Sequence, residues 1–199
     1  MRLNRKFYEQ PTLKVAKDLL GKYLVRVWCG KKIVGKIVET EAYIGPEDKA
    51  SHAIGGKITK RNLAEYLPGG HIYIYLVYGM YWQFNISTRG EGKPECVLIR
   101  AVEPITRIKN YDLRFKNIKK LANGPGKLCK YFKFDKSFYG EDMCKSKRIW
   151  LEKREGTIPR KMIKSGPRVG IDYAGSYWAK KPWRFWINPA PFKRCILWQ

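Results

Sequence analysis

Along the first half of the chain, apolar residues fall into short runs with a period near two, broken by turn residues. Lys22–Cys29 and Ile33–Tyr43 are expected strands around a Gly30-Lys31-Lys32 turn. Side chains alternate along a strand, so Ile37, Glu39, Glu41 and Tyr43 should share one face. Ile72–Val77 and Tyr81–Ser87 form a second expected pair, joined by a tight turn around Tyr78-Gly79-Met80. Cys96–Glu103 is another strand, with Cys96, Leu98 and Arg100 on a common face, and Val169–Tyr173 and Arg184–Ile187 read as short strands. Two segments carry helical spacing instead. Pro11–Leu20 has an apolar face of Leu13, Ala16, Leu19 and Leu20, with Gly21 as its stop. In Thr106–Ala122, Ile108, Tyr111, Phe115 and Ile118 recur at helical intervals. The order of elements predicts an α+β class: a mainly antiparallel sheet with helices packed around it. No repeat, linker or break in composition interrupts the chain, so residues 1–199 are expected to form a single domain.

Charge changes the picture most. Lys and Arg number 41 and Asp and Glu 17, a formal net charge of +24. Such an excess calls for a polyanionic partner, either nucleic acid or an anionic membrane surface. The apolar share of 44% argues against a disordered chain. The longest uncharged run, Tyr66–Thr88, could span a bilayer by length, but it contains Pro68, Gly69, Gly70, His71, Gln83 and Asn85. It is a poor transmembrane helix, and the N-terminus has no apolar signal stretch. Cys29, Cys96, Cys129, Cys144 and Cys195 are odd in number and form no CxxC, which argues against a disulfide scaffold or a structural zinc. A reducing, intracellular setting is expected: cytoplasm or nucleoid in a prokaryote, nucleus in a eukaryote.

Three segments carry candidate chemistry. In Glu39-Thr40-Glu41-Ala42-Tyr43, two acids sit within an otherwise apolar strand. A buried carboxylate is costly unless paired, and acids kept in such places are often functional; a structural ion pair is the competing reading. Between His71 and Asn85, six aromatic residues crowd together: Tyr73, Tyr75, Tyr78, Tyr81, Trp82 and Phe84. Aromatics beside basic surface suit base stacking, and Tyr78 would project from a hairpin tip; core packing is the alternative. Lys57, Thr59, Lys60 and Arg61, after Gly55-Gly56, suit phosphate contact. So does Asn123-Gly-Pro-Gly-Lys-Leu, which could start a helix with Lys127 in its first turn. His52 and His71 are the only histidines and form no ligand pair, so no metal and no cofactor is expected. A binding module without catalysis, and a metal-dependent nuclease using Glu39, Glu41, Glu47 and Asp48, are the rival readings.

Together these segments resemble the alkyladenine (3-methyladenine) DNA glycosylase family, the kind without a helix-hairpin-helix motif. The resemblance runs from Phe7-Tyr8 and Leu19-Leu20-Gly21 through residues 37–53, 73–87, 97–104 and 123–129 to 166–171 and 181–187. It implies a compact domain with a curved antiparallel sheet that binds duplex DNA. It also implies flipping of a damaged purine and hydrolysis of its N-glycosidic bond, in base excision repair, by a monomer with no obligatory protein partner. Carried over by motif, Glu41 is the general base that activates water, and Arg100 holds that water and keeps the carboxylate pKa low. Tyr43, His52 and Tyr75 form the walls and edge of a base pocket, and Asn85 discriminates against the guanine amino group. Tyr78 is the wedge that fills the vacated stack, with Met80 beside it. The chain departs from the family pattern after Gly55-Gly56, with Lys57, an added Ile58, Lys60 before Arg61-Asn62, and Glu65-Tyr66.

Overall fold

The computed structural model describes residues 1–105, 122–154 and 156–188. The expected helix over Thr106–Ala122, apart from Ala122, and Cys195 lie outside the described residues. Strands β1 (Tyr23–Trp28) and β2 (Lys31–Ile44) form an antiparallel hairpin. Its turn is Cys29-Gly30, one residue earlier than the sequence pattern suggests. Both turn residues have positive φ, 49° and 71°, which matches the twist of a two-residue hairpin loop. Lys31 and Lys32 are therefore paired strand residues. A second hairpin joins β3 (Ile72–Val77) to β4 (Tyr81–Ser87). β5 (Glu95–Pro104) lies between β4 and β2, and β6 (Ile149–Glu152) flanks β1, giving the order β3-β4-β5-β2-β1-β6. β7 (Ile163–Gly166) pairs with β8 (Arg184–Ile187), and β8 pairs with β2 at Glu39–Glu41. All pairings are antiparallel and the sheet is open, so the α+β class holds.

Among the described residues, four α-helices surround the sheet: α1 (Arg5–Tyr8), α2 (Thr12–Asp18), α3 (Pro125–Phe132) and α4 (Ser176–Ala179). α2 packs on β2 and β5, and α3 on β4 and β5. Val15, Leu128 and Phe132 from these helices meet Phe84, Ile86 and Ile99 of the sheet, all fully buried. Each such side chain contributes roughly 1.5–3 kcal/mol by leaving water.

One irregularity in β2 governs which residues face this core. Ile37 opposes Val102 and Glu39 opposes Ala101, so Val38 is an extra residue; Arg100 is likewise extra on β5. A one-residue insertion exchanges the two faces of a strand. Ile33 and Ile37 point into the core before the bulge; Ala42 does so after it, and Thr40 donates to the Ala16 carbonyl of α2 at 2.8 Å. Ile37 therefore does not share a face with Glu39, Glu41 and Tyr43. The bulge turns those three to the other side.

Residues 169–173, an expected strand, form a bend followed by a single 3-10 turn, Asp172–Ala174. Gly170 takes φ 72°, which breaks an extended chain. The neighbouring Arg168 is drawn inward. Its side chain and that of Asp48 are both 0% exposed, and Nη2 donates to Oδ1 at 2.9 Å while Nη1 donates to Oδ2. Nη1 also donates to the Ala42 carbonyl at 2.9 Å. Asp48 accepts from the backbone N–H of Ile44 and Ala50 at 3.2 and 3.0 Å. The pair ties the loop after β2 to the segment after β7.

Removing one partner of a buried ion pair strands the other charge, at a cost of roughly 3–5 kcal/mol. Asp48→Asn should lose stability on that scale in urea unfolding. A loss below about 1 kcal/mol would show that water reaches Arg168 and that the pair is not a dry tether.

Candidate active site

A cavity of about 620 Å³ opens between the site face of the sheet, residues 50–52 and residues 169–173. That is ample for one planar aromatic ligand. The structure brings Glu41, Tyr43, His52, Tyr75, Asn85 and Arg100 to its lining, although they are scattered over five segments. Arg61 and Tyr78 reach its rim. Met80, Lys57, Thr59, Lys60 and Lys127 do not line it.

Glu41 is 0% exposed and receives three donors. Arg100 Nη1 lies 3.3 Å from Oε1, the Val169 N–H donates to Oε1 at 2.9 Å, and the Tyr43 hydroxyl donates to Oε2 at 2.9 Å. Every one of these favours the carboxylate. Burial acts the other way and is the larger effect, so the Glu41 pKa is raised above its ordinary value. The sequence expectation that Arg100 keeps this pKa low is thus corrected: desolvation outweighs the arginine. Arg100 also bonds Glu39 through Nε at 3.1 Å, and Arg184 Nη1 lies 3.4 Å from the same Glu39 oxygen. Glu39 holds the two arginines and does not line the cavity, whereas Glu41 does.

The aromatic walls are fixed from behind. Arg168 lies over the Tyr43 ring at 4.7 Å and over Trp183 at 5.0 Å. The Tyr75 ring meets His52 edge-on at 4.6 Å, and Arg61 lies over Tyr75 at 5.1 Å. His52 is exposed at the rim, yet its Nδ1 is 2.6 Å from the Tyr73 hydroxyl. Desolvation of the ring and the Arg61 charge push its pKa down to about 4, so it is neutral at neutral pH. Asn85 is buried on β4, and its amide nitrogen donates to the Tyr73 and Gln83 carbonyls at 3.1 and 3.2 Å. Its oxygen is left as the polar atom for a ligand.

Tyr78 stands at the tip of the β3–β4 hairpin, 86% exposed, with φ 51°. Gly79 follows at φ 66°, and the Met80 N–H closes the turn onto the Val77 carbonyl at 3.1 Å. Met80 is exposed beside it. Lys57, Lys60 and Arg61 lie on the exposed loop before Asn62. Thr59 is different: its hydroxyl donates to Asn62 Oδ1 at 2.9 Å and is part of the loop's own turn. Lys127 sits in the first turn of α3, exposed, as the Gly-Pro-Gly start predicts.

The sequence pattern does not reveal several lining residues. Val169 acts through its backbone, which no side-chain motif reports. Ser51, Tyr73 and Tyr173 also line the cavity, as does Glu65, which is 1% exposed and accepts from the Ser51 hydroxyl at 3.4 Å. The signal for Glu65 was its departure from the family pattern. Among the described residues, no three His, Cys, Asp or Glu side chains converge to hold a metal. Asp48, required by the nuclease reading, is enclosed by Arg168. No helix of the described residues is long and apolar enough to cross a membrane.

A buried carboxylate fed by three donors, beside an aromatic cavity on a protein of charge +24, defines a hydrolase-type site for a flat ring carried by a polyanion. The chain belongs to the methylpurine-DNA glycosylase family, whose sequence model, Methylpurine-DNA glycosylase (MPG), matches residues 6–191. It is similar to the Homo sapiens DNA-3-methyladenine glycosylase, 38% identical over 203 residues that cover 96% of this chain and 67% of the human protein. Relatives in Natranaerobius thermophilus and Alkaliphilus oremlandii carry 3-methyladenine DNA glycosylase in their names. They are 42% identical over 196 residues and 45% over 202, each covering 96% of this chain and 98% of the relative. The protein is accordingly a hydrolase, a DNA glycosylase of the methylpurine type.

Glu65 couples the site to stability. Burial raises its carboxyl to about 8 in the folded chain, against an ordinary 4.5. Between those pH values the folded state keeps a proton that the unfolded state has lost, so stability falls as pH rises through that window. Melting curves of the parent and Glu65→Gln should therefore diverge from about pH 4.5 to about pH 8, the parent losing ground. Parallel curves would show that Glu65 titrates normally.

Proposed function

We propose that this chain is a monofunctional N-glycosylase that takes a damaged purine out of duplex DNA and hydrolyses its glycosidic bond with water activated by Glu41. The observation that carries this reading is the buried Glu41 carboxylate, held by Arg100, Val169 and Tyr43 at the edge of the cavity. A base cannot be reached inside the stack, so it must be extruded, and damaged bases unstack more cheaply. Tyr78 is exposed at a hairpin tip and is the side chain suited to fill the gap. The extruded ring would lie among Tyr43, Tyr75 and His52. A cationic alkylpurine gains roughly 0.5–2 kcal/mol against such faces. Asn85 would meet the purine edge and disfavour a guanine amino group by steric clash rather than by hydrogen bonding. Lys57, Lys60, Arg61 and Lys127 supply cations for the phosphates; lysine acts there as a point charge rather than a fork. The Thr59 proton is committed to Asn62, so its contact with phosphate would be indirect.

In the reaction, water attacks the sugar carbon as the bond to the base breaks. Glu41 orients the water, takes its proton, and places negative charge near the oxocarbenium-like sugar. Arg100, bridging Glu41 and Glu39, fixes the carboxylate's orientation. A base should titrate close to the working pH, and the upward displacement of Glu41 is in that direction. A carboxylate forms no Schiff base, so no strand-cleaving lyase step is expected. Every residue in this scheme comes from one chain, so a monomer suffices.

Glu41→Gln keeps the shape but cannot take a proton. It should bind lesion duplex nearly as tightly as the parent, while single-turnover base release falls by about 10²-fold or more. Near-parental rates, with Glu39→Gln inactive instead, would exchange the two roles. Tyr78→Asn probes the wedge. Asparagine tolerates positive φ, and Tyr78 is exposed, so melting should change little. Lesion affinity should drop by roughly 1–3 kcal/mol of lost stacking. Unchanged affinity would remove Tyr78 from the interface.

A further inference from the structure

We propose that the groove between α1, the end of α2 and residues 153–157 is a second ligand site, which takes a small molecule bearing two or more phosphates. The groove measures about 740 Å³ and shares no lining residue with the Glu41 cavity. That size is in the range of small-molecule sites. α2 packs on the core face of the sheet, so the groove lies away from the face that carries Glu41. Among the described residues, its lining sets Arg2, Lys6, Lys14, Lys22 and Lys153 against a single carboxylate, Asp18. Asp18 is already paired with Lys14, four residues earlier. Arg2 is committed to the Met143 and Ser146 carbonyls. Among the described residues, no hydrogen bond or ion pair holds the ammonium groups of Lys6, Lys22 and Lys153.

Lys22 carries the argument. It is only 6% exposed, yet it lines the groove. Gly21, at φ 82°, turns the chain from the end of α2 into β1. The Gly21 N–H donates to the Ile37 carbonyl, and the Ile37 N–H to the Lys22 carbonyl, both at 2.8 Å. The backbone that carries Lys22 is thus fixed on β2. An ammonium buried there without an acceptor is costly. Burial holds the Lys22 pKa below the ordinary lysine value and Lys153 adds a like charge, while Asp18 opposes both. An anion in the groove relieves that cost. Lys6 and Lys153 are exposed at the rim, so phosphate oxygens could accept from them and from the buried Lys22 at once. Ammonium groups act as point charges and can meet phosphate from several directions. The phosphates of a duplex lie on a stiff convex surface and do not reach a nearly buried ammonium. The occupant is therefore a free small molecule rather than a second segment of DNA. The site is independent of the proposed function.

The test is a titration of the intact, nitrogen-15-labelled chain with inorganic pyrophosphate, followed by NMR at physiological salt. The amide signals of Gly21, Lys22 and Lys153 should move together and saturate below millimolar pyrophosphate, and inorganic phosphate should bind more weakly. Lys22→Met keeps the length of the side chain and removes its charge; it should weaken binding by roughly tenfold or more, the loss of one charge-assisted hydrogen bond. Lys6→Glu, on the exposed rim, gives a second reading without touching the core and should weaken binding several-fold. Shifts that scatter over the surface without saturating, or an affinity unchanged in either folded variant, overturn the site. An equimolar short lesion duplex should leave the pyrophosphate shifts in place, because the duplex is expected at the Glu41 face. Displacement of pyrophosphate by the duplex would instead make the groove a DNA surface and overturn the small-molecule site. Failure of the chain to release any damaged base would sink the proposed function and leave the pyrophosphate result standing.

Discussion

A guanidinium with no access to water has to be neutralised, and Arg168 meets that demand through Asp48. The consequences reach most of the site. Asp48 is held where it can also accept two backbone N–H groups, so the loop after β2 is closed on itself. Arg168 is held where it covers Tyr43 and grips the Ala42 carbonyl. The next residue, Val169, is thereby brought within 2.9 Å of Glu41. The pocket wall at Tyr43, the Glu41 carboxylate and the enclosing segment at Val169 are located by one ion pair. A buried pair of this kind adds little net stability over an apolar core. Its value here is geometric, because both ends carry bonds that define positions.

The second determinant is the pair of bulges. Were Val38 a regularly paired ladder residue, strand alternation would set Glu41 on the same side as Ile33 and Ile37, in the apolar core. The matching extra residue on β5 is Arg100. Arg100 keeps the face of Cys96 and Leu98, which also line the cavity, so the irregularity in β2 is what turns the acid to meet it.

The local pattern carried much of this. Five principal strands, both hairpins and the open tip at Tyr78 follow from apolar runs and glycine placement, since these are governed by residues close in sequence. The cluster of Glu41, Tyr43, Tyr75, Asn85 and Arg100 was legible because each stands in a motif. What was not legible depends on distant partners. Val169 contributes a backbone N–H, and its segment looked like a strand because the pull of Asp48 on Arg168 across 120 residues has no sequence signature. The bulge at Val38 depends on pairing with β5. The raised pKa of Glu41 depends on how completely the fold dries it, and charge neighbours alone pointed the other way.

The acids of the site differ in one respect that organises their chemistry. Glu39 meets Arg100 and Arg184, Asp48 meets Arg168, and Glu41 meets Arg100. Among the described residues Glu65 meets the Ser51 hydroxyl and no cation, and burial carries its pKa to about 8. In a chain with 41 basic residues, having no cation beside it among the described residues sets Glu65 apart from the other three acids. It leaves a carboxyl that favours its protonated form within the lining of a cavity whose other buried carboxyl, Glu41, is the proposed base. Glu41 lies between the extremes: buried like Glu65, yet given an arginine, a peptide N–H and a phenol. Drying raises its affinity for a proton, which a base requires. The three donors oppose that rise and fix the carboxylate's orientation. One cavity therefore holds two buried carboxyls of the same chemical type, one on the sheet and one on a 3-10 turn, set apart by which of them an arginine reaches.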